Sequence, residues 1–154
     1  GVLLDLGCYP LSFLRLCDDE VEKYKILKKN ISYSSTGIED EVELEIITSK
    51  NIIAEIRISF KQNYDNSCVI EGENGKIIIS NPWLPKEGNA IEVKMRDRSY
   101  IQISDSNKSA YAHQIENVSE AFERPYKSNN KLFGIDESVK YLSFFEKLNS
   151  DKNN

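Results

Sequence analysis

The sequence predicts an α+β fold in which about six or seven mainly antiparallel strands form an open-faced sheet with helices packed on one face. Apolar and polar residues alternate over residues 42–46 and again over residues 52–60, the period of strands that bury one face. From Ser109 onward the apolar period becomes helical. With 154 residues, we expect a single domain over residues 1–149, followed by a frayed tail at residues 150–154.

The chain is predicted to open on two short helical pieces. Residues 2–7 form one turn that breaks near Gly7, and a helix then runs from about Tyr9 to Cys17, because Pro10 fits the first turn of a helix and not its interior. A long strand is predicted over residues 21–34.

Two hairpins and two further strands follow. Tight turns at residues 48–51 and 72–75 require antiparallel neighbours, since a parallel pair needs a long crossover. For the glycines at 72 and 75, a plain turn is favoured over a phosphate cradle, because this turn opens a strand and not a helix. The later strands are predicted at residues 91–95 and 100–103.

Two helices are predicted near the end of the chain. The apolar stripe of the first is Tyr111, Ile115, Val118 and Phe122, and that of the second is Val139, Leu142, Phe145 and Leu148.

Composition excludes several classes of function. A net charge of -5 and a pI near 5.0 disfavour a nucleic-acid partner. No apolar run reaches the roughly 18 residues of a membrane span. The three cysteines have no metal-ligand spacing, and with no signal peptide we expect a reduced, cytoplasmic protein without a metal site.

The first ten residues hold the strongest candidate site. Asp5 and Tyr9 stand four apart among apolar residues, a spacing that brings two side chains to one face of a helical turn. Without further information, Asp5 capping a turn and Tyr9 filling the core are the simpler readings.

Three motifs carry a resemblance to a known family. The string Gly-Val-Leu-Leu-Asp-Leu-Gly-Cys-Tyr-Pro-Leu-Ser at residues 1–12 resembles the start of the second domain of Gfo/Idh/MocA oxidoreductases, and is most similar to the dimeric dihydrodiol dehydrogenase branch. Residues 71–76 resemble the Gly-x-x-Gly hairpin of the family, and residues 81–85 the segment after it. The resemblance runs to about residue 149 and implies a dihydrodipicolinate-reductase-like C-terminal domain.

The resemblance also implies an activity and roles. It points to an NAD(P)-dependent oxidoreductase acting on a sugar, polyol or diol. Asp5 would orient the substrate hydroxyl, and Tyr9 would share in proton transfer. Trp83 would form a wall of the substrate pocket, and Tyr111 and Gln114 would contact the substrate.

The cofactor is expected to be bound elsewhere. The sequence has neither Gly-x-Gly-x-x-Gly after a strand nor the Glu-Lys-Pro motif that supplies the family's lysine. We therefore expect this chain to be the C-terminal half of such an enzyme, binding no NAD or NADP and transferring no hydride alone. The expected partners are an N-terminal dinucleotide-binding domain, a small-molecule substrate and a second copy paired through the open sheet face.

Two other functions stay open. One is a stand-alone binding or scaffolding module of the same fold. The other is an unrelated small enzyme that uses Asp5 with His113, although His113 falls off the apolar stripe of its helix and is better explained as a surface residue.

Overall fold

The computed structural model describes residues 1–85, 89–103, 108–123 and 134–150. The helices are α1 (Val2–Asp5), α2 (Cys8–Leu14), α3 (Ala110–Glu123) and α4 (Ile135–Ser150), and a 3-10 turn spans Val21–Lys23. The strands are β1 (Lys25–Tyr33), β2 (Glu39–Ile47), β3 (Ile53–Ser59), β4 (Ser67–Gly72), β5 (Gly75–Ser80), β6 (Ala90–Met95) and β7 (Ser99–Ile103).

The α+β class and the antiparallel strands are confirmed. The seven strands of the described residues divide into two sheets, with the orders β1-β2-β3 and β4-β5-β6-β7. The strand expected over residues 21–34 is shorter, because residues 21–23 form the 3-10 turn. In the predicted tail, Ser150 is the last residue of α4, and residues 151–154 lie outside the described residues.

The chain forms two compact units. Unit 1 contains α1, α2, β1 to β3 and α4, and unit 2 contains β4 to β7 and α3. The single domain expected over residues 1–149 stays a prediction.

Unit 1 is built around the inner face of its three-stranded sheet. The alternation predicted in β2 and β3 is confirmed, and the register sets Val42 beside Ile58 and Leu44 beside Ile56. These side chains are buried in one core with residues of α1, α2 and α4. The helical layer of unit 1 therefore covers the inner face, and Ile53, Glu55 and Arg57 on the outer face are exposed.

The buried stripe of α4 differs from the predicted one. Tyr141, Phe144, Phe145 and Leu148 are buried, whereas Val139 and Leu142 are exposed. Sequence periodicity could not separate these two stripes, because both are apolar at helical spacing. The Tyr141 hydroxyl donates a 3.0 Å hydrogen bond to the carbonyl of Leu11, which ties α4 to α2.

A buried carboxylate closes the turn between β2 and β3. Asp18 is fully buried, and its Oδ2 accepts hydrogen bonds from Ser49 Oγ at 2.7 Å and from the Lys50 amide at 2.9 Å. Its Oδ1 accepts from the Glu20 amide at 3.1 Å. Burial alone would raise the pKa of Asp18, but these hydrogen bonds outweigh it and hold that pKa well below the usual range. Asp18 is therefore ionised at neutral pH and fastens the turn to the segment that follows α2.

Unit 2 is a four-stranded antiparallel sheet with one long helix. The hairpin between β4 and β5 turns at Gly72 and Gly75, which stand opposite each other. Gly75 has a φ of +154°, and a Cβ there would lie 2.1 Å from the carbonyl oxygen of Lys94. Both constraints require glycine at position 75. A plain turn therefore explains this glycine without a phosphate-binding role.

None of the described residues of unit 2 is buried. On α3, the predicted stripe of Tyr111, Ile115, Val118 and Phe122 is exposed, with Phe122 at 83%. Among the described residues, no helix is long and apolar enough to cross a membrane.

Candidate functional site

The candidate pair lies on either side of a break between two helices. Asp5 is the last residue of α1, and Tyr9 is the second residue of α2. The predicted break near Gly7 is confirmed, whereas the helix expected to run to about Cys17 ends at Leu14. A Cβ on Gly7 would lie 2.3 Å from the carbonyl oxygen of Leu3 and 3.2 Å from Cδ1 of Ile58, so a larger residue at position 7 would push the two helical pieces apart.

The residues around the pair anchor it to the core. Val2, Leu3 and Leu11 are fully buried, while Asp5 is exposed and Tyr9 is 46% exposed. An exposed tyrosine does not fill the core, and neither α1 nor α2 has a side-chain cap. The structure therefore favours neither of the two simpler interpretations, and both residues are accessible to solvent.

Cys8 lies between the two candidates and is not suited to nucleophilic chemistry. Its thiol donates to the carbonyl of Asp5 at 3.3 Å. Burial raises the pKa of the Cys8 thiol above its ordinary value, so the thiol stays protonated at neutral pH. Cys8 packs against the core of unit 1.

The other predicted site residues lie in unit 2. Trp83 follows β5 and is partly buried, while Tyr111 and Gln114 are exposed on α3. They remain predicted substrate contacts. His113 is half-exposed on the same helix, with Nδ1 4.0 Å from Oε2 of Glu116, which fits a surface histidine.

A polar groove on the outer face of the unit 1 sheet was not predicted. Its volume is about 440 Å³, and its lining residues are Asn30, Ile31, Ser32, Glu41, Glu43, Arg57, Gln62 and Tyr64.

Side-chain pairs on neighbouring strands organise this groove. Asn30, Glu43 and Arg57 are in register on β1, β2 and β3, and Glu43 lies 3.3 Å from the Asn30 amide and 3.6 Å from Arg57 Nε. The Tyr64 hydroxyl donates to Glu41 Oε1 at 2.5 Å, and this hydrogen bond raises the pKa of Tyr64. The groove could not be recognised from sequence, because outward polar residues of a strand are typical of an ordinary solvated face.

Two kinds of binding motif were looked for among the described residues, a cluster of metal-binding side chains and a glycine-rich turn before a helix. No group of three or more His, Cys, Asp or Glu side chains in the described part of the chain could hold a metal ion. In the described strands and helices, no glycine-rich turn leads from a strand into a helix, the arrangement that binds a pyrophosphate.

No protein-family model matches the chain, and no curated protein matches it in sequence. Solved structures do match it. KijD10, a 3-ketoreductase from Actinomadura kijaniata in complex with NADP, superposes with a TM-score of 0.79 at 14% identity, over 97% of this chain and 47% of that chain. Its open conformation, in complex with TDP-benzene and NADP, gives 0.75 at 14% identity, over 97% and 46%.

An aldose-aldose oxidoreductase from Caulobacter crescentus, complexed with glycerol, is also similar. Its TM-score is 0.80 at 18% identity, over 97% of this chain and 44% of that chain. At such low identity the similarity shows a shared fold. The chain spans less than half the length of these oxidoreductases, so its fold is that of one part of them.

Proposed function

We propose that this chain is the substrate-binding and dimerisation half of an NAD(P)-dependent oxidoreductase that acts on a sugar, polyol or diol. One observation carries the proposal. Nearly the whole chain shares the fold of less than half of each of two enzymes, a 3-ketoreductase in complex with NADP and an aldose-aldose oxidoreductase. The exposed residues Asp5 and Tyr9, on either side of the break between α1 and α2, add support. The opening motif favours the Gfo/Idh/MocA family and its dimeric dihydrodiol dehydrogenase branch.

The pair supplies the proton chemistry of this reaction. The nicotinamide, when bound, accepts or donates the hydride at a carbinol carbon. A proton must then leave or join the oxygen, which requires an acid or base within hydrogen-bond reach. Asp5 orients the substrate hydroxyl by accepting its hydrogen bond. The Tyr9 side chain takes the proton from that oxygen, or returns it in the reverse reaction. A phenol does this at neutral pH only beside a cation, and we assign that cation to the cofactor-binding half.

Dimerisation is assigned to the outer face of the unit 1 sheet. The helices of unit 1 cover the inner face, whereas Ile53, Glu55 and Arg57 are exposed on the outer one. Light scattering on the isolated chain is expected to give twice the chain mass at high micromolar concentration. A monomer at that concentration would contradict this assignment. The cysteine content supports a cytoplasmic location.

The experiment begins with the reading frame that contains Gly1. We expect a dinucleotide-binding half to be encoded directly upstream, and the resulting parent polypeptide to oxidise a polyol, diol or aldose with NAD or NADP. Replacing Tyr9 with Phe should lower kcat by about 10²- to 10⁴-fold, because the proton acceptor is removed. Circular dichroism should stay unchanged, since Tyr9 is outside the core.

Tyr100→Phe is the matched control, because Tyr100 is another half-exposed tyrosine, on β7, and its activity should equal wild type. Equal activity of Tyr9→Phe and wild type would refute the role of Tyr9. A start codon immediately before Gly1, with no dinucleotide-binding half encoded upstream, would favour the stand-alone binding module.

A further inference from the structure

Helix α4 has a second apolar face that its own unit does not use. The first face, described above, packs into the core of unit 1. The second consists of Ile135, Val139 and Leu142, which are 83%, 56% and 54% exposed. They stand at i, i+4 and i+7, so they form one continuous stripe. A helix that covers a single sheet needs only one such face, and two faces are typical of a helix packed between two layers.

The exposed stripe points away from the sheet of unit 1. A helix advances by about 100° per residue, which puts the centre of the exposed stripe roughly 140° around α4 from the centre of the buried face. The buried face consists of Tyr141, Phe144, Phe145 and Leu148. The buried side is fixed on the sheet by the shared core and by a 2.9 Å hydrogen bond from Lys29 Nζ to the carbonyl of Leu148. The stripe is therefore the outer surface of the helical layer.

A second copy is not the occupant that this geometry favours. The dimer proposed above uses the other side of the sheet, so it leaves the outer surface of α4 uncovered. The similar oxidoreductases continue for more than half of their length beyond the region that matches this chain, and that additional chain can supply a further layer. Through Tyr141, α4 is also bonded to α2, the helix that carries Tyr9.

A negative charge at one end of the stripe indicates that the partner surface carries a positive charge there. Glu146 is exposed one turn after Leu142 and continues the same line along α4. Within the described residues it has no ion-pair partner, whereas Lys140 on the flank is paired with Glu22 at 3.4 Å. A complementary surface would be apolar, with a lysine or arginine at the end that meets Glu146.

We infer that Ile135, Val139 and Leu142 dock the dinucleotide-binding half of the parent enzyme, with Glu146 paired to a basic side chain of that half. This inference rests on the proposed function and names the surface through which the two halves meet. Docking there attaches the cofactor-binding half to the helical layer that also carries Asp5 and Tyr9.

Thiol labelling tests the inference without measuring activity. Leu142→Cys is prepared in the isolated chain and in the parent polypeptide, and its reaction with a maleimide is followed by peptide mass spectrometry. We expect labelling to be at least tenfold slower in the parent, because the docked half covers the side chain. Ile38→Cys, a half-exposed control in the turn between β1 and β2, should react equally fast in both proteins.

A second variant gives an independent reading. Val139→Glu combined with Leu142→Glu should leave the unfolding midpoint of the isolated chain unchanged, since both positions are exposed there. In the parent it should split one cooperative unfolding transition into two. Glu146→Lys should weaken the coupling of the halves in the same direction.

The outcomes separate this inference from the proposed function. Equal labelling of Leu142→Cys in both proteins, in a parent whose activity depends on Tyr9, overturns the docking surface and leaves the function standing. Loss of dimerisation by the double glutamate variant of the isolated chain makes a second copy the occupant and also overturns the inference. A parent without a dinucleotide-binding half removes both proposals.

Discussion

Unit 1 and unit 2 contain similar amounts of strand but differ in how they bury it. Unit 1 places one face of three strands under helices and holds every buried apolar residue of the described chain. Unit 2 has four strands and a 14-residue helix, and none of its described residues is buried. Alternating apolar residues are thus present in both units, but in only one of them do they form a core.

This difference in burial shows that an apolar pattern in the sequence identifies a surface that could be buried, but does not identify what covers it. Ile77, Ile79 and Val93 of unit 2 are as apolar as Val42 and Ile46 of unit 1, yet they are only partly buried. Since burial of apolar area is the main source of stability, unit 1 is expected to provide most of the free energy of unfolding of the isolated chain.

The largest expected effect is at Phe144 of unit 1, and Phe122 of unit 2 is its matched comparison. Phe144→Ala removes a buried ring that meets Tyr24 edge-on, with ring centroids 6.0 Å apart, and should lower the free energy of unfolding by about 3–5 kcal/mol. Phe122→Ala on α3 should change it by no more than about 0.5 kcal/mol, because that ring is exposed. Urea denaturation of both variants measures the contrast, and similar losses would show that the units do not differ.

An intermediate effect is expected at the hairpin of unit 2. Gly75→Ala should cost more than about 1 kcal/mol, because of the positive φ and the close approach to Lys94. Gly72→Ala is the matched control, since its added Cβ would meet only the Gly75 carbonyl at 3.9 Å. Hydrogen exchange should speed up in residues 67–80 and stay unchanged in unit 1. Faster exchange throughout the chain would show that the units unfold together.

The smallest expected effect is the pH dependence of the stability that Asp18 gives to unit 1. Because the pKa of Asp18 is depressed in the folded state, its stabilisation is complete above its unfolded pKa of about 3.9 and is lost as the pH falls below that value. Asp18→Asn should therefore lower the unfolding midpoint at pH 7, and the gap from wild type should narrow below about pH 4. Asp19→Asn, at the exposed neighbour, should show no such gap. A gap that is constant with pH would argue against an ionised Asp18.

Much of the fold could be predicted from local rules. Period-two alternation located β2 and β3, and the glycines at 72 and 75 located the next hairpin, because strand pleating and turn geometry depend on neighbouring residues. The division into two sheets and the choice of buried stripe on α4 could not be predicted. Both depend on which surfaces meet across long sequence separations, as Tyr141 and Leu11 do.

The candidate site was predicted only where it depends on residues that are close in sequence. The break at Gly7 and the exposed positions of Asp5 and Tyr9 follow from a short stretch of chain. The groove at Glu41 and Glu43 escaped notice because its members come from three strands and from residues 62 and 64. In the sequence, each of these residues has the pattern of an ordinary solvent-facing strand position.

The close approach at Gly7 affects how natural variation at this site should be interpreted. Glycine is required there by the Leu3 carbonyl and the Ile58 methyl group, so its invariance among homologous sequences would record backbone packing and not chemistry. Asp5 and Tyr9 face solvent and fill no space in the core. Because core packing does not constrain those two side chains, their substitution pattern would be the clearer record of function.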